Sequence, residues 1–393
     1  MWLIAIAAAF VTMAICILAV TGLLRDRRSA DERLAEIEAA RAIPDTENAA
    51  MIYNELLQNP KATSLSNARS QAGEPLLSGQ PVLYGPWLSK DQPEVDAWIK
   101  EHQYIIDGLL ATARCEKCRF PIIIDVANMS FMNRVAPMRQ WGFLLRSAAN
   151  NDIAEGRVDA AMAKWRCLLQ MGNHLRQQPD LSDHLLANSA EEAAMEPMAD
   201  FIVTGSPTEM HLQKIEAMSL PMKDRWAEYD SQTRLTDALI SQKVKEQISP
   251  LDCLRHPIQA LQGFRVARAI NSLLPDKASL FDDAGYLYRR SIATSRGVRI
   301  LVAVRRYRNA TSHWPLSLDE VRASLPEEIL TDPFNRGPFV YKPAGDTFTL
   351  YSKGENNIDE NGEWRSEAED DWSIWPGRKR QERTEPDDDE PNR

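Results

Sequence analysis

Two short stretches carry residues whose types and spacing could do chemistry. Cys115-Glu116-Lys117-Cys118 sets two thiols three apart, a spacing that serves thiol exchange, a disulfide or half of a zinc site. Thiol exchange of the thioredoxin kind wants a strand before the pair and a helix after it. Here a helical pattern precedes it and Arg119-Phe120-Pro121 follows. Zinc wants a second ligand pair, and the six histidines (His102, His174, His184, His211, His256, His313) are scattered. Three readings stay open: plain thiols, a Cys115–Cys118 disulfide in an oxidising compartment, or a metal or catalytic pair. The second stretch, Asn357-x-Asp359-x-Asn361-Gly362, alternates oxygen donors that can converge on one hard cation, with glycine for the tight turn. A helix-loop-helix calcium site needs a Glu at the twelfth position, which counted from Asn357 is Ala368. A polar surface turn and a calcium site of another kind are the alternatives.

Elsewhere the sequence lacks G-x-S-x-G, H-E-x-x-H, G-x-x-x-x-G-K-[ST] and G-x-G-x-x-G. Without an organised nucleophile or metal, the expectation is a protein that binds or scaffolds rather than catalyses, with a helical peptide-binding adaptor or a thiol- or metal-dependent enzyme as the alternatives. The series Arg289, Arg290, Arg296, Arg299, Arg305, Arg306 and Arg308 reads as the solvated face of a helix with a buried stripe. A net charge of −10 argues against a nucleic-acid backbone as partner, because phosphate binding needs a basic face.

The element that sets the address of the chain is Met1 to Leu24, an uncharged run followed by Arg25, Asp26, Arg27 and Arg28. As a helix it reaches roughly 36 Å, enough to cross a hydrocarbon core of about 30 Å. No Lys or Arg precedes the core and Ala19-Val20-Thr21 is a poor exit site, so the run reads as an uncleaved anchor rather than a signal peptide. The expectation is therefore a single-pass membrane protein, with the lipid bilayer and other proteins as partners. The Arg cluster alone would keep the body in the cytoplasm. The large domain is nonetheless expected outside, since long domains translocate against that bias and the C-terminal likeness below points the same way.

Beyond the anchor (1–24) the reading is mainly α with a C-terminal α+β unit: a juxtamembrane helical stalk (25–43), an α-helical domain (44–275), an α+β domain (276–376) and a disordered charged tail (377–393). Helices are expected over 29–42, 45–58, 93–113, 138–152, 158–175, 182–203, from Ser206 to about Leu220, over 222–248, around 258–274, and over 276–308. A loop is expected over 61–87, where Ser, Gly, Gln and Pro accumulate. Ser206-Pro207-Thr208-Glu209 and Ser317-Leu318-Asp319-Glu320 read as capping boxes. Trp141, Leu144, Leu145 and Ala148, then Ala161, Trp165, Leu168 and Leu169 across Gly156, make an antiparallel hairpin that looks locally tetratricopeptide-like. Alternation at Phe339–Tyr341 and Thr347–Tyr351 around Pro343-Ala344-Gly345-Asp346 predicts a β-hairpin.

A family resemblance enters on this last part. Tyr307-Arg308-Asn309, Trp314-Pro315-Leu316-Ser317-Leu318-Asp319-Glu320, Asp332-Pro333-Phe334, Phe339-Val340-Tyr341 and Leu350-Tyr351-Ser352-Lys353-Gly354 follow a long helix in the order seen in the C-terminal domain of type II secretion major pseudopilins. The likeness covers roughly 286–376. It implies a long helix with a small antiparallel sheet, a bacterial envelope setting, and calcium held after the second strand by Asn357, Asp359 and Asn361 with Asp370 and Asp371. The chain departs from that family in lacking a prepilin-peptidase site and an early Glu in Met1–Leu24, and in placing about 250 residues between the run and the domain.

Overall fold

The computed structural model describes residues 29–65, 81–122, 130–219, 222–247, 277–362 and 371–377. The apolar run, part of the 61–87 loop, the helix expected around 258–274, Asp370 and the tail from 378 lie outside the described residues.

Helix α1 (Ala30–Ala40) starts where the sequence places it, because Ser29 accepts the Glu32 amide while the Glu32 carboxylate takes the Ser29 amide. It is docked rather than free-standing. Ala30 and Leu34 bury against Leu239 of α10 (Trp226–Gln247) and against Ile122, in a small apolar cluster separate from the main core. Glu38 bridges Arg41, Arg119 and the Ile122 amide, and Arg41 donates to Gln178 at 2.7 Å. The expected stalk is thus part of the body.

A one-turn 3-10 segment and Asn48, whose side chain caps α2 (Ala49–Leu57), follow Pro44. A short α3 (Pro60–Thr63) begins at the proline that ends α2. The single helix predicted over 93–113 is two, α4 (Pro93–Glu101) and α5 (Gln103–Thr112). At the junction His102 turns its ring back to the Trp98 carbonyl, 2.8 Å away, and the first helix closes there.

The main layer is α6 (Ser130–Ala154), α7 (Val158–Arg176) and α8 (Leu181–Thr204). Gly156 turns the α6–α7 hairpin at φ +76°, where only glycine is unstrained. The α7–α8 pairing is close because Gly172 faces Glu191: a Cβ on Gly172 would sit 2.7 Å from the Glu191 Cγ. Helix α9 (Glu209–Met218) starts two residues later than the Ser206 box predicts. Thr208 caps it and His211 closes the box, since Glu209 is drawn off by Arg306 at 2.9 Å.

Helix α11 (Lys277–Thr311) lies against α8 and carries the C-terminal unit. Two single-turn helices follow, α12 (Asp319–Arg322) and α13 (Glu327–Leu330). The Ser317 box is only partly realised: Ser317 accepts the Asp319 amide, and Glu320 reaches back to the Leu316 amide instead. The sheet runs β1 (Val340–Ala344), β2 (Thr347–Ser352) and β3 (Trp372–Trp375), antiparallel, in that order. Strand β3, which the sequence reading lacked, packs on α11 and α8, and Ile374 lies over Gly297 so closely that a Cβ there would be 2.6 Å away.

One apolar cluster runs from Ala49 through Trp141, Trp165 and Ile202 to Leu301, Phe348 and Trp375. It crosses the 275/276 boundary without a break. The described fold is thus mainly helical with a small C-terminal antiparallel sheet.

Candidate functional site

The loop that carries the predicted calcium donors hangs from a clamp at the end of β2. Asp332, fully buried, accepts Ser352 Oγ at 2.6 Å, Asn335 Nδ2 at 2.9 Å and the Phe334 amide at 3.0 Å. Asn335 also donates to the Gly354 carbonyl. The Asp332-Pro333-Phe334 and Ser352-Lys353-Gly354 landmarks are therefore two halves of one hydrogen-bonded lock. Burial raises the Asp332 carboxyl, against those donors.

Within the loop, Asn357 (φ +56°) and Asn361 (φ +65°) hold left-handed turns, and the donors divide into two groups. Asp359 Oδ1 accepts Tyr351 Oη at 2.6 Å and the Asn361 amide at 2.9 Å. The Lys342 ammonium lies 3.1 Å from Asp359 Oδ2 and 2.8 Å from Asn361 Oδ1, so a lysine from β1 takes the place a cation would have between them. Asp371 makes its own contacts. Its Oδ2 accepts the Gly362 amide at 2.7 Å, while Oδ1 is buried beside Glu360, whose Oε2 is likewise enclosed without a hydrogen-bond donor. Burial, with the Glu360 carboxyl nearby, pushes Asp371 up to about 6. Asp371 thus has hydrogen-bond partners other than those of Asp359 and Asn361, and the structure adds Lys342 and Glu360, which the sequence reading did not offer as donors. Asn357 is exposed, and among the described residues no cluster of three or more His, Cys, Asp or Glu is arranged to hold an ion.

Cys115 and Cys118 are free thiols in the structure, on a segment whose backbone is held by side chains from several helices. Gln170 and His174 donate to the Cys115 carbonyl, Gln177 accepts the Cys118 amide, and Gln178 bonds both the Cys118 carbonyl and the Phe120 amide. On the other side the Lys117 carbonyl accepts the Ala49 amide, and Asn48 bonds both backbone groups of Arg119. Burial raises the Cys118 thiol far above its ordinary range, which opposes thiolate chemistry.

Beneath this segment Tyr53, Thr112 and His174 are fully buried together. A carbonyl can only accept, so His174 Nε2 carries the proton toward Cys115 and Nδ1 accepts from Tyr53 Oη at 3.1 Å. Burial lowers His174 to about 4. The unfolded chain therefore binds the extra proton first as pH falls, and the stability from the neutral ring is present above pH 6.5 and lost between 6.5 and 4. His174→Gln should flatten this slope: its deficit relative to the native chain should shrink by about 2 kcal/mol between pH 7.5 and pH 5 in urea unfolding. An unchanged deficit would show that the ring is not held neutral.

The arginines on α11 are engaged rather than solvated, contrary to the sequence expectation. Arg305 donates to the Val203 and Gly205 carbonyls, and Arg299 to those of Glu216 and Ser219. Arg306 pairs with Glu209 and Glu216, and Arg296 with Glu328 and the Thr331 carbonyl. Arg289 pairs with Glu355, and Arg308 stacks over Trp314. They fasten α8, α9, α13 and the loop to one central helix. Two further pairs sit deep among the helices, Arg134–Asp183 and Arg176–Glu191, each bidentate.

No protein-family model matches the chain, and no curated protein or solved structure matches it significantly. Among the described residues no helix is long and apolar enough to cross a membrane.

Proposed function

We propose that this chain is a single-pass, membrane-anchored protein of a bacterial envelope that acts by binding or scaffolding other proteins, with its body on the extracytoplasmic side. The observation that carries the reading is the uncharged Met1–Leu24 run with its Arg25, Arg27 and Arg28 flank. The order of α11, the Asp332 lock and the three-stranded sheet supports a pseudopilin-like C-terminal unit, reused on a longer helical protein. The α6–α7 hairpin supports the local tetratricopeptide likeness and with it a second reading, a helical peptide-binding adaptor. Crosslinking in intact membranes, followed by detergent extraction, tests the binding role. Discrete larger species containing this chain are expected, and monomer alone would contradict it.

Calcium belongs to the same reading. Asp371 and Glu360 supply enclosed carboxylate oxygens of the hard kind calcium prefers, while Asp359 and Asn361 are already held by Lys342. Bound there, the ion would supply charge neutralisation that fixes the loop to β3. Because the C-terminal unit shares its core with the helices, the test uses the whole chain. Millimolar calcium should raise its melting temperature relative to chelator, and Asp371→Asn should abolish the rise. An identical melting temperature with and without calcium removes the ion from the account.

A further inference from the structure

The Cys115–Cys118 pair takes no part in the anchor or the calcium loop, and the structure treats its two thiols differently. Cys115 is half-buried and packs at the edge of the main core, whereas Cys118 is 3% exposed and belongs to that core. The two lie within electrostatic range of each other across a bend at Glu116. The backbone that carries them is pinned throughout. The Cys115 amide donates to the Thr112 carbonyl at 3.0 Å and the Glu116 carbonyl accepts Gln177 Nε2 at 3.0 Å, beside the bonds from Gln170, His174, Gln178 and Asn48. Fully extended, residues three apart stand about 10 Å from one another, too far for a disulfide, so such a bond needs a backbone that is bent and held. Closing it here orders two short side chains and no loop.

We propose that Cys115 and Cys118 are a reactive dithiol that small-molecule disulfides oxidise, with Cys115 as the point of entry and Cys118 as the resolving thiol. In the first step the Cys115 thiolate attacks one sulfur of the disulfide RSSR, forming Cys115–S–SR and releasing a thiolate that takes up the proton Cys115 lost. In the second, Cys118 gives up its proton, its sulfur attacks the Cys115 sulfur, and the second RS group leaves as a thiolate and is protonated. The pair is oxidised by two electrons and RSSR is reduced to two RSH. Burial sets the order. It keeps the oxidant from Cys118, and it raises that thiol, with Asp183 adding to the rise and Arg134 and Arg41 opposing it. The second step is therefore the slower, and the mixed disulfide at Cys115 accumulates first. Cys167, fully buried and donating to the Leu109 carbonyl, stays out of the exchange. The chemistry does not depend on the anchor, but a meeting with such an oxidant in the cell rests on the extracytoplasmic reading.

The test treats the full chain, folded in detergent, with oxidised glutathione, stops samples with acid, caps free thiols with a maleimide and digests with trypsin, which cuts after Arg114, Lys117 and Arg119. A glutathione adduct on the Cys115–Lys117 peptide is expected first, then that peptide joined to Cys118-Arg119, with Cys167 still free as the mark of a folded chain. Cys118→Ala should stop at the adduct, and Cys115→Ala should slow reaction at Cys118 by about tenfold or more. No reaction at either thiol, first modification at Cys118, or an adduct on the native chain that never resolves would overturn the proposal. If the purified chain closes while acid-trapped cells hold both thiols reduced, the extracytoplasmic placement fails and the dithiol stands.

Discussion

Glu191→Ala is expected to destabilise the chain by about 3–5 kcal/mol, the cost of stranding a buried charge. Its partner Arg176 donates Nε to Glu191 Oε1 at 3.0 Å and Nη2 to Oε2 at 2.6 Å, and both side chains are about 5% exposed. The same guanidinium bonds Asn188 and lies 4.4 Å over the Tyr288 ring, so no water route is open to it once the carboxylate is gone. Two features show how closely the site is built around the pair. Gly172 makes room for the Glu191 stem, and Ser291 of α11 donates to the Asn188 oxygen that also receives Arg176. Replacing both partners together, as Arg176→Met with Glu191→Leu, removes the charge instead of stranding it and should recover most of the loss. A loss under about 1 kcal/mol for Glu191→Ala in urea unfolding would mean the pair is hydrated and the core looser than described.

Trp372→Ala should cost about 3–5 kcal/mol, the usual range for removing a buried tryptophan. Its ring lies 3.6 Å from the Arg290 guanidinium and its Nε1 donates to Thr294 Oγ1 at 3.0 Å, so one side chain of β3 is fixed twice to α11. The effect should not stay in the sheet. With one apolar cluster running from Ala49 to Trp375, helical circular dichroism and tryptophan fluorescence should lose their signals in a single shifted transition. A first transition confined to fluorescence, with the helices melting at the native midpoint, would show the C-terminal unit to be independent.

How much of this was legible in the sequence depends on the range of the interaction. The 3.6-residue stripes through Trp141, Leu144 and Leu145, and through Trp165 and Leu168, marked α6 and α7 because helical burial is a local pattern. The β1–β2 hairpin was equally local. Strand β3 escaped because Trp372-Ser373-Ile374-Trp375 is only four residues long, and its place beside β2 is set by contacts rather than by periodicity. The arginines of α11 misled for a related reason. Arg on a helix has the same pattern whether water or a neighbouring carbonyl receives it, and the receivers here, Val203, Gly205 and Ser219, are about 80 to 100 residues away. The cation loop was found as a cluster of oxygens. Its internal division was not, because Lys342 enters it from β1 and Asp371 from beyond the loop. The docking of α1 was likewise unreadable, since Leu34 meets Leu239 across more than 200 residues.

Membrane fractionation of cells expressing the full chain, beside a version that starts at Arg25, tests the functional account most directly. The full chain should sediment with membranes and stay there through high salt and alkaline carbonate, while the shortened chain moves to the supernatant and melts as before. Full-length protein in the supernatant with its first residues intact would contradict the account.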